Sequence, residues 1–200
     1  MKTTRSLLAV LCGFLAVFAA QATTVIPPTF DQLVAEADLI IQGKVSEVKS
    51  QWVGEGGQRH IVSYVTVQVE DTLKGNPGAT YTLRMLGGTV DGETMAVSDA
   101  PKFEVGDRDI LFVKDNGKQF IPLVGIMHGR FHVQKDEQTG AETVSTNEGQ
   151  AVTDLAKMGK SDEAPVAATA NASANTETAI ALDVSAFKSA IKAKLAGGGQ

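Results

Sequence analysis

The residues able to do chemistry are few and scattered. Histidine occurs three times, as His60, His128 and His132, and a metal site would need such ligands to converge on one ion. His128 and His132 are four apart on what reads as one strand and share its outer face. Their Cβ atoms there stand about 13 Å apart at a rise of about 3.3 Å per residue, too far to chelate one ion without a bend. The chain carries no HExxH, no cysteine pair and no calcium-type loop, so the reading includes no metal and no cofactor. Nucleophilic catalysis lacks a Gly-x-Ser-x-Gly elbow; a serine-type hydrolase would have to assemble Ser63 or Ser98 with a histidine. The acidic pairs Glu70-Asp71 and Asp107/Asp109 flank turns and strand ends, where solvated charge is ordinary. Gly87-Gly88 precedes neither a Lys-Ser/Thr pair nor a helix start, so it reads as backbone freedom at a strand end rather than a phosphate loop.

Two polar stretches offer binding instead. Trp52, the only tryptophan, falls in Lys49 to Arg59, a Gly-rich polar loop. An aromatic there either holds a partner or folds over the open end of the domain. The second stretch, Gly87 to Asp107, is longer than a structural connection usually needs and carries Met95 and Phe103 among polar neighbours. Phe103 is expected to plug the core and Met95 to be exposed.

The elements that must position these loops are mostly strands. After Pro27-Pro28, Thr29 to Gln32 forms a capping box, and a short helix to about Ala37 puts Phe30, Leu33, Val34 and Ala37 on one stripe. In the first strand Leu39, Ile41, Gly43 and Val45 face one way, and Ile40, Gln42, Lys44 and Ser46 the other. Val48 breaks that alternation, as a bulge would. In the second, Ile61, Val65, Val67 and Val69 alternate with Val62, Tyr64, Thr66, Gln68 and Glu70. A third strand covers Thr80 to Leu86. Ile110 to Val113 is apolar on both faces, as in a strand covered on both sides, and Asn116-Gly117 turns it into a hairpin with Phe120 to Val124. The last expected strand, Arg130 to Gln134, points Phe131 and Val133 inward and Arg130, His132 and Gln134 outward.

The ends read differently. Lys2 and Arg5, the apolar run Leu7 to Ala20 and the small-x-small site Ala20-Gln21-Ala22 form a signal sequence over 1–22, which places the mature protein in the periplasm or outside the cell. Cys12, the one cysteine, lies within it, so the mature domain (23–158) relies on burial alone. The formal net charge is −5, and signal removal takes away two positive charges more. Such a chain has no electrostatic footprint for nucleic acid, and no integral membrane segment follows the signal. A linker at 159–181, rich in Ala, Thr, Asn, Ser and Glu, is expected to stay disordered. Beyond it an amphipathic helix at 182–196 is capped by Asp183 and shows Val184, Phe187, Ile191 and Leu195 on one stripe. That stripe suits docking on the domain's own barrel or on a partner.

Taken in order, ADLIIQGKV (37–45), the valine-alternating strand ending in Leu73-Lys74-Gly75, Gly87-Gly88, PKFEVGD (101–107), ILFV (110–113) and GIMHGRFHV (125–133) resemble a family of uncharacterised bacterial exported proteins. At greater distance the pattern resembles netrin/TIMP-like OB-fold modules. The implied fold is mainly β, a small antiparallel OB-like β-barrel with the two flanking helices. TIMP-like inhibition uses an amino-terminal cysteine, and the expected start Thr23-Thr24-Val25 has no thiol. The resemblance then implies that ligands meet the loop between the first two strands and the adjoining sheet face: Trp52, Gln58, Arg59 and His60, with Tyr64 beside them. Met95 joins them from the second polar stretch. The expected function is a non-enzymatic binding or structural module of the bacterial envelope that recognises a protein or glycan.

Overall fold

The computed structural model describes residues 26–137, 139–160 and 181–198; the expected signal sequence and residues 161–180 of the expected linker lie outside them. Helix α1 (Phe30–Glu36) starts where the sequence places its cap: the Gln32 amide donates to Thr29 Oγ1 at 3.2 Å, and the Thr29 amide donates to Gln32 Oε1 at 2.8 Å. Two 15-residue strands follow, β1 (Leu39–Val53) and β2 (His60–Lys74), then β3 (Thr80–Leu86), a small hairpin β4 (Gly88–Val90) and β5 (Glu93–Met95), β6 (Arg108–Val113), β7 (Arg130–Lys135), β8 (Glu142–Thr146) and helix α2 (Val184–Gly197). The main sheet is antiparallel with six strands in the order β3-β2-β1-β6-β7-β8, while β4 and β5 pair with each other. Its order is linear and does not close into a barrel.

Both faces of this sheet are covered, which explains why ILFV is apolar throughout. On one face Ile40, Ile110, Phe112, Phe131 and Val144 pack beneath the two helices. On the other, Ile41, Val45, Val65, Val67, Leu83 and Leu111 pack beneath the connections that carry Phe103, Ile121 and Leu123. The stripe of α2 docks on the chain's own sheet: Phe187 is wholly buried, with ring centroids 5.7 Å from Phe30, 6.4 Å from Phe112 and 5.1 Å from Phe131. Burying such a side chain is worth about 1.5–3 kcal/mol. Lys188 holds Asp71 at 2.6 Å, and this bond keeps the Asp71 carboxyl below its ordinary pKa against the opposing effect of burial.

Four expectations are corrected. Phe120 to Val124 is not a strand; Pro122 has no N–H to give a ladder, and only the single bridge Val113–Leu123 forms. Phe120 itself is exposed. Asn116 departs from a tight hairpin turn and sends its side chain to the edge of β3, accepting from the Arg84 amide at 2.9 Å and donating to the Thr82 carbonyl at 2.8 Å. His128 lies in a 3-10 turn (Ile126–Gly129), not on a strand with His132. The stretch from Gly87 to Asp107 is not one open loop but carries the β4–β5 hairpin. Strand β8 was not expected, because its polar residues Glu142, Thr143, Ser145 and Thr146 leave one apolar position, Val144, to signal it.

Candidate ligand-binding cleft

The site begins with a defect in β1. Val45 pairs with Val67 and Glu47 with Thr66, so Ser46 is an extra residue opposite β2, a bulge two positions before the Val48 that signals it in the sequence. The bulge resets the alternation. Val48, Ser50 and Trp52 now face the same side as Val45, opposite Val65, Ser63 and Ile61 on β2. Lys49 to Val53 is therefore strand, not the loop expected from its composition, and Trp52 stands on a regular β position.

Above that face the chain leaves β3 through Gly87-Gly88. Gly88 has φ +136, and a Cβ built on it would lie 2.3 Å from Ser63 Oγ and 2.5 Å from Ser50 Oγ. Glycine is required there on both counts. Ser63 Oγ donates to the Gly87 carbonyl at 2.6 Å and lies 2.8 Å from Ser50 Oγ. This lock holds the β4–β5 hairpin over the β1–β2 ribbon. Between them is a cleft of about 440 Å³, floored by Val48, Val65 and Met85 and walled by Met95, Val97 and Phe103. Its volume is that of small-ligand pockets and its lining is mainly apolar, with the serine pair, Thr89, Thr94 and Lys102 as polar points.

The far wall is fixed from beneath by charge. Arg130 was expected to point outward but is only 2 % exposed. Its Nε donates to Asp109 at 3.0 Å, its Nη2 to Asp107 at 2.6 Å and its Nη1 to the Lys102 carbonyl, with the guanidinium 4.0 Å from the Phe103 ring centre. Asp109, expected to be solvated, is 1 % exposed and accepts from His132 Nδ1 at 2.8 Å. That hydrogen bond raises the His132 pKa above its ordinary 6.5; burial and the Arg130 charge oppose the rise, while the Asp109 charge and a backbone hydrogen bond with Asn147 add to it. The network pins the segment from Lys102 to Asp107 across the sheet. The Asp107 carbonyl also accepts from the Val45 amide at 2.7 Å, and the Gly106 amide donates to the Val45 carbonyl at 2.9 Å.

The expected site residues divide. Trp52 lies on the cleft side, half-buried, with the Arg59 guanidinium 4.1 Å above its ring. Met95 lines the cleft. His60 and Tyr64 pair with Val53 and Lys49 and so occupy the opposite face of the ribbon, away from the cleft. Gln58 sits at the exposed tip, its carbonyl bonded to His60 Nδ1 at 2.8 Å. Ser98 is exposed in a turn, and the partners of Ser63 are a hydroxyl and a carbonyl rather than a base. One serine does stand beside a histidine: Ser145 is opposite His132, which is opposite Asp109. Ser145 Oγ is buried and has no hydrogen-bond partner among the described residues, so these three residues do not form a connected relay. Among the described residues no group of three or more His, Cys, Asp or Glu is placed to hold a metal ion. None of the described helices is long and apolar enough to cross a membrane.

Sequence reasoning missed Arg130, Asp109 and Lys102 as parts of the site, and read Val48 as the sign of a bulge but not as the cleft floor. The usable signal was the spacing of Asp107 and Asp109, which places two carboxylates on one side of a strand start, and it needed only a cation on the neighbouring strand. Comparisons with family models, with curated proteins and with solved structures return no match.

Proposed function

We propose that this protein is an exported, non-enzymatic binding module of the bacterial envelope that recognises its ligand at the far half of the β1–β2 ribbon. One observation carries the reading: the far half of β1 extends past β6, and the glycine-locked β4–β5 hairpin is held over the ribbon to leave an apolar cleft. Trp52 and Arg59 border that surface as an aromatic and a cation of the kind that anchors interfaces. The site is thus the cleft side, with Trp52, Arg59 and Met95, rather than the His60 and Tyr64 side. Descent from OB-like, netrin/TIMP-like modules is part of the same proposal; the bulged β1 and the hairpin next to the proposed binding face support it.

A photo-crosslinking amino acid at Ala96, an exposed residue that lines the cleft, tests this in the native host. It should trap one dominant species, protein or glycan, while the same probe at exposed Lys135 traps none of it. Equal trapping at both positions would remove the site.

A further inference from the structure

The ribbon's outer half has an unused edge. β1 pairs with β6 only from Leu39 to Lys44, and the last partners on that side are Gly106 and Asp107, both on Val45. From Glu47 to Val53, among the described residues, the only strand paired with β1 is β2. Val45 turns its N–H and C=O toward the β6 side. In a bulge the two residues facing one partner both point inward, so alternation turns the main-chain groups of Val48, Ser50 and Trp52 outward. Their side chains meanwhile face the cleft. One row of residues therefore offers unpaired backbone along its edge and a cavity beside it.

We propose that this edge is a strand-addition site, where an extended segment of a partner protein pairs with Glu47 to Val53 and sets an apolar side chain in the cleft. This rests on the binding reading above and names its mode. The occupant's chemistry follows from the lining. Apolar residues at alternate positions meet Val48, Val97 and Phe103. The one charged residue on the cleft is Lys102, whose ammonium has no ion-pair partner among the described residues, and it selects an acidic side chain on the incoming strand. Edges of this length are aggregation liabilities, and the bulge at Ser46 with charged Glu47 and Lys49 on the outer face is the protection expected of an edge kept free for a chosen partner.

The test is a displayed library of random short linear peptides selected against the full chain, followed by synthesis of the winners and an N-methyl scan. Enriched peptides should carry apolar residues at alternate positions and one acidic residue. Each N-methyl group on an amide that pairs with β1 should weaken binding about tenfold, and those in between should have little effect, a two-residue period that side-chain contact alone does not give. Lys102→Glu, at an exposed side chain, should lose the selected peptides and, on reselection, enrich basic residues at the same position. Peptides that lose binding on Trp52→Ala yet show no N-methyl period would leave the binding site standing and overturn strand addition. Failure to enrich any peptide family would also overturn it. So would a concentration-dependent dimer of the peptide-free chain that Ser50→Pro abolishes, because a second copy would then cover the edge.

Discussion

The two halves of β1 are one strand under two regimes. From Leu39 to Val45 it has neighbours on both edges and a core on both faces, and Ile40, Ile41 and Val45 are at most 1 % exposed. From Glu47 to Val53 it keeps one neighbour among the described residues, and every residue is exposed or half-buried. A single bulge separates them. The inner half gives stability and the outer half is free to be specific, which is why a lost contact should cost far more near the helices than near the cleft.

The largest effect is expected in the inner region. Phe187→Ala removes a fully buried ring from a cluster of four phenylalanines and should cost about 3–5 kcal/mol, read as a lower denaturant midpoint with an unchanged slope. A loss below about 1 kcal/mol would mean that α2 is an accessory rather than part of the core.

Asp109→Ala should follow closely. It leaves the Arg130 guanidinium buried with only the half-exposed Asp107 beside it, a loss of about 3 kcal/mol or more. Because Arg130 also pins the cleft wall, this variant should loosen the amides from Lys102 to Asp107 in hydrogen exchange as well; unchanged protection there would separate the charge network from the cleft.

His132 gives a smaller, pH-dependent effect. Its folded pKa lies above the unfolded value of 6.5, so its contribution is complete below that pH and is lost as the pH rises through the folded value. Unfolding free energy measured across that window should fall with pH in the native chain, and His132→Gln should flatten the fall. A rise with pH would contradict the Asp109–His132 pairing.

The smallest effect belongs to Ser145. Its hydroxyl is buried without a partner among the described residues, so Ser145→Ala should leave stability within about 0.5 kcal/mol or raise it by about 1 kcal/mol. A large destabilisation would show that the hydroxyl has a partner in solution.

Much of the frame was legible from residue order. The capping box at Thr29, the stripe Val184–Phe187–Ile191, the alternation of β2 and the two-faced ILFV all follow from local periodicity. The site was only partly so. Val48 announced the bulge, but periodicity could not say that the strand resumes beyond it, so Trp52 read as loop. Arg130 and Asp109 read as surface because a charged residue looks the same in sequence whether water or a partner solvates it.

By itself, then, the sequence determined α1, the alternation of β2, the two-faced ILFV and the apolar stripe of α2, since those depend on neighbours two to four residues away. Only the tertiary structure decided where α2 docks, which charges meet across β6 and β7, and which edge of β1 stays unpaired among the described residues. Those outcomes depend on contacts between residues far apart in the chain, such as Lys188 with Asp71 and Arg130 with Asp107, whose burial and pairing energies exist only once the sheet has assembled.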